Sequence, residues 1–497
     1  MNHLHDALFA PHQGSGRPFL IAPDGAALSY GAFVDLAARY AQAMADAGLK
    51  PGDRLALQLD KSAEMLAVIA AAIRAGVVFL PLNTAYTAAE VDYFIRDAGA
   101  RMLLADPAYA GRLAPVAKAA GVRLETVAPG GGGSFQPAAT GLPPVARAAG
   151  DLAAFLYTSG TTGRSKGAML SHDNLLSNAR TLVGLWRFGP EDVLLHALPI
   201  FHTHGLFVAT NVVLLAGASM IFLPKFDARE VMRLLPKATT MMGVPTFYTR
   251  LLAEPGLTPD AARHMRLFVS GSAPLLAETH QDWQARTGHR ILERYGMTET
   301  NMNCSNPYEG ERRPGTVGQA LPGVEVRVCD GSGAELPRGE VGVLEVRGPN
   351  VFQGYWNMPE KTAEELRADG FFLTGDLAVM GADGYVTIVG RAKDLVISGG
   401  YNIYPSEVEA EIDALPWVLE SAVIGLPHPD MGEAVMAVIV PRPGATPDPE
   451  GLAAALSERL ARFKLPRAVE VVAELPRNTM GKVQKAALRA AHKGRFG

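Results

Sequence analysis

The sequence predicts an α/β protein with a large N-terminal domain of parallel α/β layers, a β-rich subdomain within it and a small α+β C-terminal domain. Three observations carry this. The chain has 497 residues, more than one compact core normally holds. Apolar strand-like runs alternate with helical patterns through its first half, the rhythm of βαβ units and parallel pairing. The texture then changes twice, near Gly315 and again near Arg391.

Arg54 to Leu59 follows the turn signal Pro51-Gly52-Asp53 and reads as a strand. Ser62 to Ala75 follows as a helix and Val77 to Leu80 as the next strand. Thr87 and Glu90 have capping-box spacing, so a helix should begin there, and Arg101 to Ala105 is a further short apolar run. Pro129 to Pro144, rich in Gly and Pro, should be a surface loop, after which the α/β rhythm resumes from Leu152 to about Arg266. Residues 315–390 alternate strand-like runs, such as Val324 to Val328 and Val341 to Val346, with turns; Asp383-Gly384 suits a hairpin. Pro405 suits a helix start, Val418 to Leu426 and Ala434 to Val440 read as strands, and Leu452 to Leu460 as a helix. The expected domains are therefore 1–392 and 393–497.

Composition narrows the function classes. Apolar residues make up 48% and charged residues 19%, a globular balance, and the net charge of -4 gives no basic surplus for nucleic acid. The two cysteines, Cys304 and Cys329, suit neither a disulfide framework nor a zinc site, and a cytoplasmic setting is expected. The longest apolar stretch, Met65 to Leu82, is broken by Arg74 and Gly76, so no membrane span is expected; nor is a targeting segment visible.

The chemistry concentrates in short motifs. Thr158-Ser159-Gly160-Thr161-Thr162-Gly163-Arg164-Ser165-Lys166-Gly167 follows the strand-like run Leu152 to Leu156. Its glycines let backbone N–H groups approach a phosphate, its hydroxyls donate hydrogen bonds, and Lys166 offsets charge. It is not a Walker A loop, because Lys166 follows Ser165 rather than glycine. Further on stand Tyr295-Gly296-Met297-Thr298-Glu299, Thr374-Gly375-Asp376, Gly390-Arg391-Ala392-Lys393-Asp394 and Pro476-Arg477-Asn478-Thr479-Met480-Gly481-Lys482. Glu299 suits Mg²⁺, a hard cation that prefers oxygen ligands, and Thr298 beside it suits the α-phosphate. Asp376 suits a ribose diol or, alternatively, a strand-end turn; Arg391 suits a position beside the ribose or a surface ion pair.

These five motifs, in this order, resemble those of the acyl-adenylate-forming (AMP-binding) superfamily, and the resemblance spans nearly the whole chain. It implies an AMP-forming acid–thiol ligase using ATP, Mg²⁺ and CoA. It implies that Ser272-Ala273-Pro274 and Tyr295-Gly296 enclose adenine. Lys482 would be the catalytic cation, stabilising charge on the α-phosphoryl oxygens and the pyrophosphate. The C-terminal domain would be mobile, with a hinge at Lys393-Asp394, and Ser398-Gly399-Gly400-Tyr401 would meet CoA. The segment around Lys482 also resembles sites at which bacterial acyl-CoA synthetases are acetylated, implying a lysine acetyltransferase and a deacetylase as partners.

For the acid, Phe201-His202-Thr203-His204-Gly205 resembles the segment whose first histidine lines the acyl site; a hydrogen-bonded histidine at a helix start is the alternative for His202. Glu293-Arg294 to Asn303 and Ser305-Asn306-Pro307 resemble the malonyl-CoA synthetases. That resemblance implies Arg250, Ser272 and Arg294 around a distal carboxylate, hence malonate or methylmalonate. A buried arginine needs a counter-ion, which an internal acid would supply equally. The competing functions are a ligase for medium-chain or aryl monocarboxylates, an adenylating enzyme loading a carrier protein in trans, and a non-catalytic nucleotide-binding protein.

Overall fold

The computed structural model describes residues 1–158, 165–398, 401–457, 459–478 and 481–496. The chain divides into two compact units. The first comprises Met1–Pro314, Gly318–Glu325 and Val346–Phe372. The second comprises Gly315–Val317, Val326–Glu345 and Leu373–Gly497, so most of the β-rich segment clusters with the C-terminal residues. The fold is mixed α/β, with large parallel sheets in the N-terminal part and a smaller C-terminal domain.

The first unit holds two sheets. In one, the strands run Arg123–Thr126, Ala100–Ala105, Arg54–Gln58, Val78–Pro81, Leu152–Thr158 and Lys166–Ser171, all parallel except the last. Its helices start where side chains supply caps: Ser62 accepts from the Met65 amide, and Thr87 forms the expected capping box with Glu90. Gly76 ends the helix Ala63–Ala75 in the left-handed conformation, the C-cap that interrupts the apolar run. The other sheet has nine strands. Its middle runs Leu292–Met297, Leu267–Ser270, Thr240–Gly243, Val193–His196, Ser219–Phe222 and Pro18–Ile21, all parallel. The carboxyl ends of these strands lead into the segments singled out above. That is where open α/β sheets bind ligands.

The second unit contains most of a four-stranded sheet, Val341–Arg347 and Phe372–Met380 at its centre, and a five-stranded one built on Gly432–Pro441. The strands Val418–His428 and Gly432–Pro441 are apolar at nearly every position because both faces are covered. Val423, Val435, Ala437 and Ile439 pack with the helix Pro405–Asp413. Ala422, Ile424, Met436 and Val438 face Leu475 and Leu488 on the other side. The helix expected over Leu452 to Leu460 is shorter, Leu452–Ser457.

Asp413, at the end of the helix Pro405–Asp413, is buried, and this desolvation, reinforced by Glu409 and Glu420, pushes its carboxyl up to about 7. The raised value means that the folded state prefers the neutral acid. The group is neutral in both states well below about pH 4, and it penalises folding increasingly as pH rises towards 7. Asp413→Asn is therefore expected to stabilise the protein at pH 8 by on the order of 2–4 kcal/mol and to change little near pH 4, read as the shift in urea midpoint.

Candidate active site

The strands Leu152–Thr158 and Lys166–Ser171 flank the glycine-rich loop, and Ser159 to Arg164 lie outside the described residues. The loop's second strand is braced from behind: the Met169 amide donates to the Gly354 carbonyl, and the Trp356 amide to the Gly167 carbonyl. This brings Tyr355 beside Lys166, whose ammonium sits 4.0 Å from the centre of the phenol ring. Lys166 Nζ donates to both oxygens of Glu365, at 3.0 and 3.1 Å. Tyr355 Oη lies 2.7 Å from Glu365 Oε2 and 3.0 Å from Glu299 Oε1.

Thr298 and Glu299 occupy the turn between the antiparallel strands Leu292–Met297 and Asn301–Ser305. Gly296 is required there, since a Cβ would lie 1.8 Å from the Asn301 carbonyl oxygen. Glu299 is buried, and its carbonyl accepts from the Phe352 amide at 2.8 Å. Among the described residues no three acidic, histidine or cysteine side chains gather into a metal cage. The Glu299 carboxylate is a hard oxygen ligand of the kind that Mg²⁺ takes, one or two at a time, alongside phosphate oxygens and water.

Arg294 lies on the same strand as Met297 and is 3% exposed. Its guanidinium rests against Gly271, where an added Cβ would come within 2.5 Å of Arg294 Cζ. Nε and Nη2 have no hydrogen-bond partner among the described residues. Burial pushes the group down to about 9, partly offset by nearby Tyr248, so it still carries its charge at neutral pH. Glu293, its neighbour in sequence, lies instead beside His280, 3.3 Å away. Ser272, held at φ 72°, approaches His204 Nδ1 at 3.2 Å, and buried His204 Nε2 is likewise unpartnered among the described residues. Burial, with Arg294, His202 and His196 adding to it, lowers His204 well below the usual histidine value, so it is neutral. His202 is half-buried and precedes a π-helical segment, His204–Thr210, an element common at functional sites. Arg250 is exposed in the last turn of the helix Pro245–Leu252. Arg294, Ser272 and the histidines thus form one cluster, and among the described residues no hydrogen bond or ion pair joins Arg250 to it.

In the second unit, buried Asp376 accepts from Arg391 Nε at 2.7 Å, and Arg391 Nη1 also donates to the Thr374 carbonyl at 3.2 Å. Lys393 and Asp394 fall in a 3₁₀ turn, Ala392–Asp394, and Asp394 accepts from Arg489 at 2.6 Å. Ser398 is buried, whereas Tyr401 is exposed and stacks on Phe463; Gly399 and Gly400 lie outside the described residues. Lys482 is exposed in a tight loop. Its amide donates to Asn478 Oδ1 at 3.0 Å, the Asn478 amide returns a bond to the Lys482 carbonyl, and Arg477 Nη1 donates to the Gly481 carbonyl at 2.6 Å. Arg477 pairs with Glu420, and Lys485 with Glu409 at 2.6 Å, which ties both ends of the loop to the sheet and helix beneath. Thr479 and Met480 lie outside the described residues.

Three residues near these motifs are not legible from sequence: Tyr355, Glu365 and Lys61. Lys61 Nζ donates to His196 Nδ1 at 2.9 Å and to the His196 carbonyl at 2.8 Å, over the ring of Phe222. His196 Nε2 therefore carries the hydrogen and donates to the Gly205 carbonyl at 2.9 Å, within the π-helical segment. The one available signal was a lysine between Asp60 and the N-cap Ser62 at the end of a buried strand.

The chain belongs to the AMP-binding enzyme family: the family model matches residues 9–356, and that of the AMP-binding enzyme C-terminal domain matches 407–482. It is an AMP-forming acid–thiol ligase. Among solved structures, ATP-bound MatB from Rhodopseudomonas palustris is 56% identical over 100% of both chains, with a TM-score of 0.97. A feruloyl-CoA synthase from Amycolatopsis is 37% identical over 94% of each chain. A malonate–CoA ligase from Arabidopsis thaliana is 34% identical over 89% of this chain and 78% of its own. Among the described residues no helix is long and apolar enough to cross a membrane.

Proposed function

We propose that the protein is a malonyl-CoA synthetase, with methylmalonate as a second acid. One carboxylate oxygen of malonate attacks the α-phosphorus of ATP; an O–P bond forms, the bond to the β-phosphate's bridging oxygen breaks, and pyrophosphate leaves. The CoA sulfur then attacks the malonyl carbonyl, its proton is lost, and AMP departs with the former acid oxygen. The observation that carries the choice of acid is the Arg294 guanidinium, charged, buried and without a hydrogen-bond partner at Nε and Nη2 among the described residues. A buried cation left so costs several kcal/mol, about the amount that a bidentate carboxylate returns. Ser272 supplies a further hydroxyl near it. Arg250 joins the site as a second, exposed cation at its rim. His202 lines the acyl end.

The remaining roles follow the charge that each step develops. Thr158 to Gly163 and Lys166 receive the β- and γ-phosphates, Thr298 the α-phosphate, and Glu299 holds Mg²⁺, which neutralises phosphate charge when bound. Ser272, Ala273, Pro274, Tyr295, Gly296 and Met297 enclose adenine, and Asp376, steadied by Arg391, accepts from the ribose hydroxyls. Lys482 adds a mobile ammonium during adenylation. Rotation at Lys393-Asp394 then withdraws it and brings Ser398 to Tyr401 to the thiol. The exposed Lys482 loop also gives a lysine acetyltransferase access, and acetylation would remove the charge, with a deacetylase restoring it. The two cysteines are free, consistent with a cytoplasmic setting.

Pyrophosphate release with ATP and Mg²⁺, on acetate, malonate, methylmalonate, succinate, octanoate and benzoate, with and without CoA, tests the reading. Malonate is expected to have the highest kcat/KM and to give malonyl-CoA. The similarity to a feruloyl-CoA synthase favours a second reading, an aryl or medium-chain monocarboxylate ligase. A preference for benzoate or octanoate would establish it, and acyl transfer to a carrier protein but not to CoA would point to carrier loading instead.

A further inference from the structure

We infer that Tyr355 is a positioning residue for the metal-binding carboxylate, and that Glu365 links it to the phosphate-loop lysine, so that the two halves of the Mg·ATP site are built as one connected unit. The inference rests on the adenylating reading and not on the choice of acid.

Tyr355 is 2% exposed, and its hydroxyl lies between two carboxylates, 2.7 Å from Glu365 and 3.0 Å from Glu299. A phenol has one hydrogen to donate. The two acceptors therefore share it, and the shorter distance gives Glu365 the larger part. Glu365 is otherwise balanced by cations: Lys166 donates to both of its oxygens, and Lys361 lies 3.0 Å from Oε1. Glu299 receives the weaker half of the shared hydrogen bond. The hydroxyl fixes one oxygen of Glu299 and so aims the carboxylate without filling the metal position.

The backbone holds Tyr355 firmly enough for this. Its amide donates to Thr362 Oγ1 at 2.9 Å, and the preceding Gly354, at φ 122°, has no room for a side chain, since a Cβ would lie 2.6 Å from Thr362 Cγ2. The flanking residues pair with the strand Lys166–Ser171 through the Gly354 and Trp356 bonds described above. The ring of Tyr355 is also the face over which Lys166 lies. Lys166, Glu365, Tyr355 and Glu299 thus make a continuous chain of contacts from the loop that receives phosphate to the carboxylate that receives the metal. Removing a partner that orients a metal ligand ordinarily costs about 10–100-fold in metal affinity or activity.

The test uses the full-length protein and reads binding rather than turnover. Free Mn²⁺ is titrated by electron paramagnetic resonance in the presence of a saturating non-hydrolysable ATP analogue, alongside thermal midpoints and analogue affinity without metal. Tyr355→Phe keeps the ring over Lys166 and removes the hydroxyl. It is expected to weaken Mn²⁺ binding about 10–100-fold while metal-free analogue affinity stays within about threefold. Glu365→Gln weakens the tie to Lys166 while the phenol still reaches Glu299, and is expected to lower metal-free analogue affinity by more than about threefold while Mn²⁺ affinity falls less than in Tyr355→Phe. Unchanged Mn²⁺ affinity in Tyr355→Phe, with only a lowered midpoint, would reduce Tyr355 to a packing residue and overturn the inference. Equal tenfold losses in both variants would indicate a loosened loop and overturn it too. A wild-type chain that takes up no Mn²⁺ with the analogue would overturn the adenylating reading itself, and the inference with it.

Discussion

Arg294→Ala is expected to lower kcat/KM for malonate by about 30- to 5,000-fold while leaving the KM for ATP within about twofold. The range follows from the 2–5 kcal/mol typical of truncating one partner of a buried charge pair. The substrate carboxylate would enter a site with no bidentate donor and would lose its hydration without return. The fold should not suffer. A buried guanidinium with Nε and Nη2 unpartnered among the described residues is itself costly, so the thermal midpoint of the variant is expected to stay level or rise. That combination separates substrate recognition from architecture. An arginine serving an internal ion pair would, when removed, lower the midpoint and spare malonate. Steady-state kinetics on malonate and on propionate, which lacks the second carboxylate, together with a melting curve, make the measurement. Malonate turnover at wild-type efficiency would overturn the assignment of the acid and leave the ligase chemistry standing.

Lys482→Ala is expected to split the two half-reactions. Acid-dependent pyrophosphate release should fall by about 10²–10³-fold, the usual loss when one preorganised donor to a developing charge is removed. Conversion of pre-formed malonyl-adenylate to malonyl-CoA should continue at close to the wild-type rate, because the proposed second step proceeds with this lysine withdrawn. Enzymatic acetylation of Lys482, located by mass spectrometry, is expected to reproduce the same split. Equal loss in both half-reactions would show that the lysine supports the fold of its loop or stays in the site throughout. The loop's turn is closed by backbone bonds, by Asn478 and by Arg477.

The sequence by itself determined the features that are local or periodic. The capping box at Thr87 depends on residues three apart and was readable, as was the helix from Ser62, whose first residue proves to be its N-cap. So were the two apolar strands of the C-terminal domain, whose runs Ala422 to Leu426 and Ala434 to Val440 are buried on both faces. The motifs around Lys166, Glu299, Asp376 and Lys482 were readable because each sets a charged residue beside a glycine or a turn, and at Gly296 the hairpin leaves no room for a Cβ. Tertiary structure alone decided which equivalent-looking residues differ. Arg250 and Arg294 look alike in the sequence, yet one is exposed on a helix and the other lies beneath Gly271, buried and charged. It alone placed Lys61 against His196, 135 residues away, and Glu365 against Lys166, 199 residues away. No period or spacing links such pairs. They meet because packing brings together elements far apart in the chain, Lys61 after a strand of one sheet and His196 at the end of a strand of the other, Glu365 on a helix and Lys166 on a strand, and burial leaves each polar group to find whatever partner lies there.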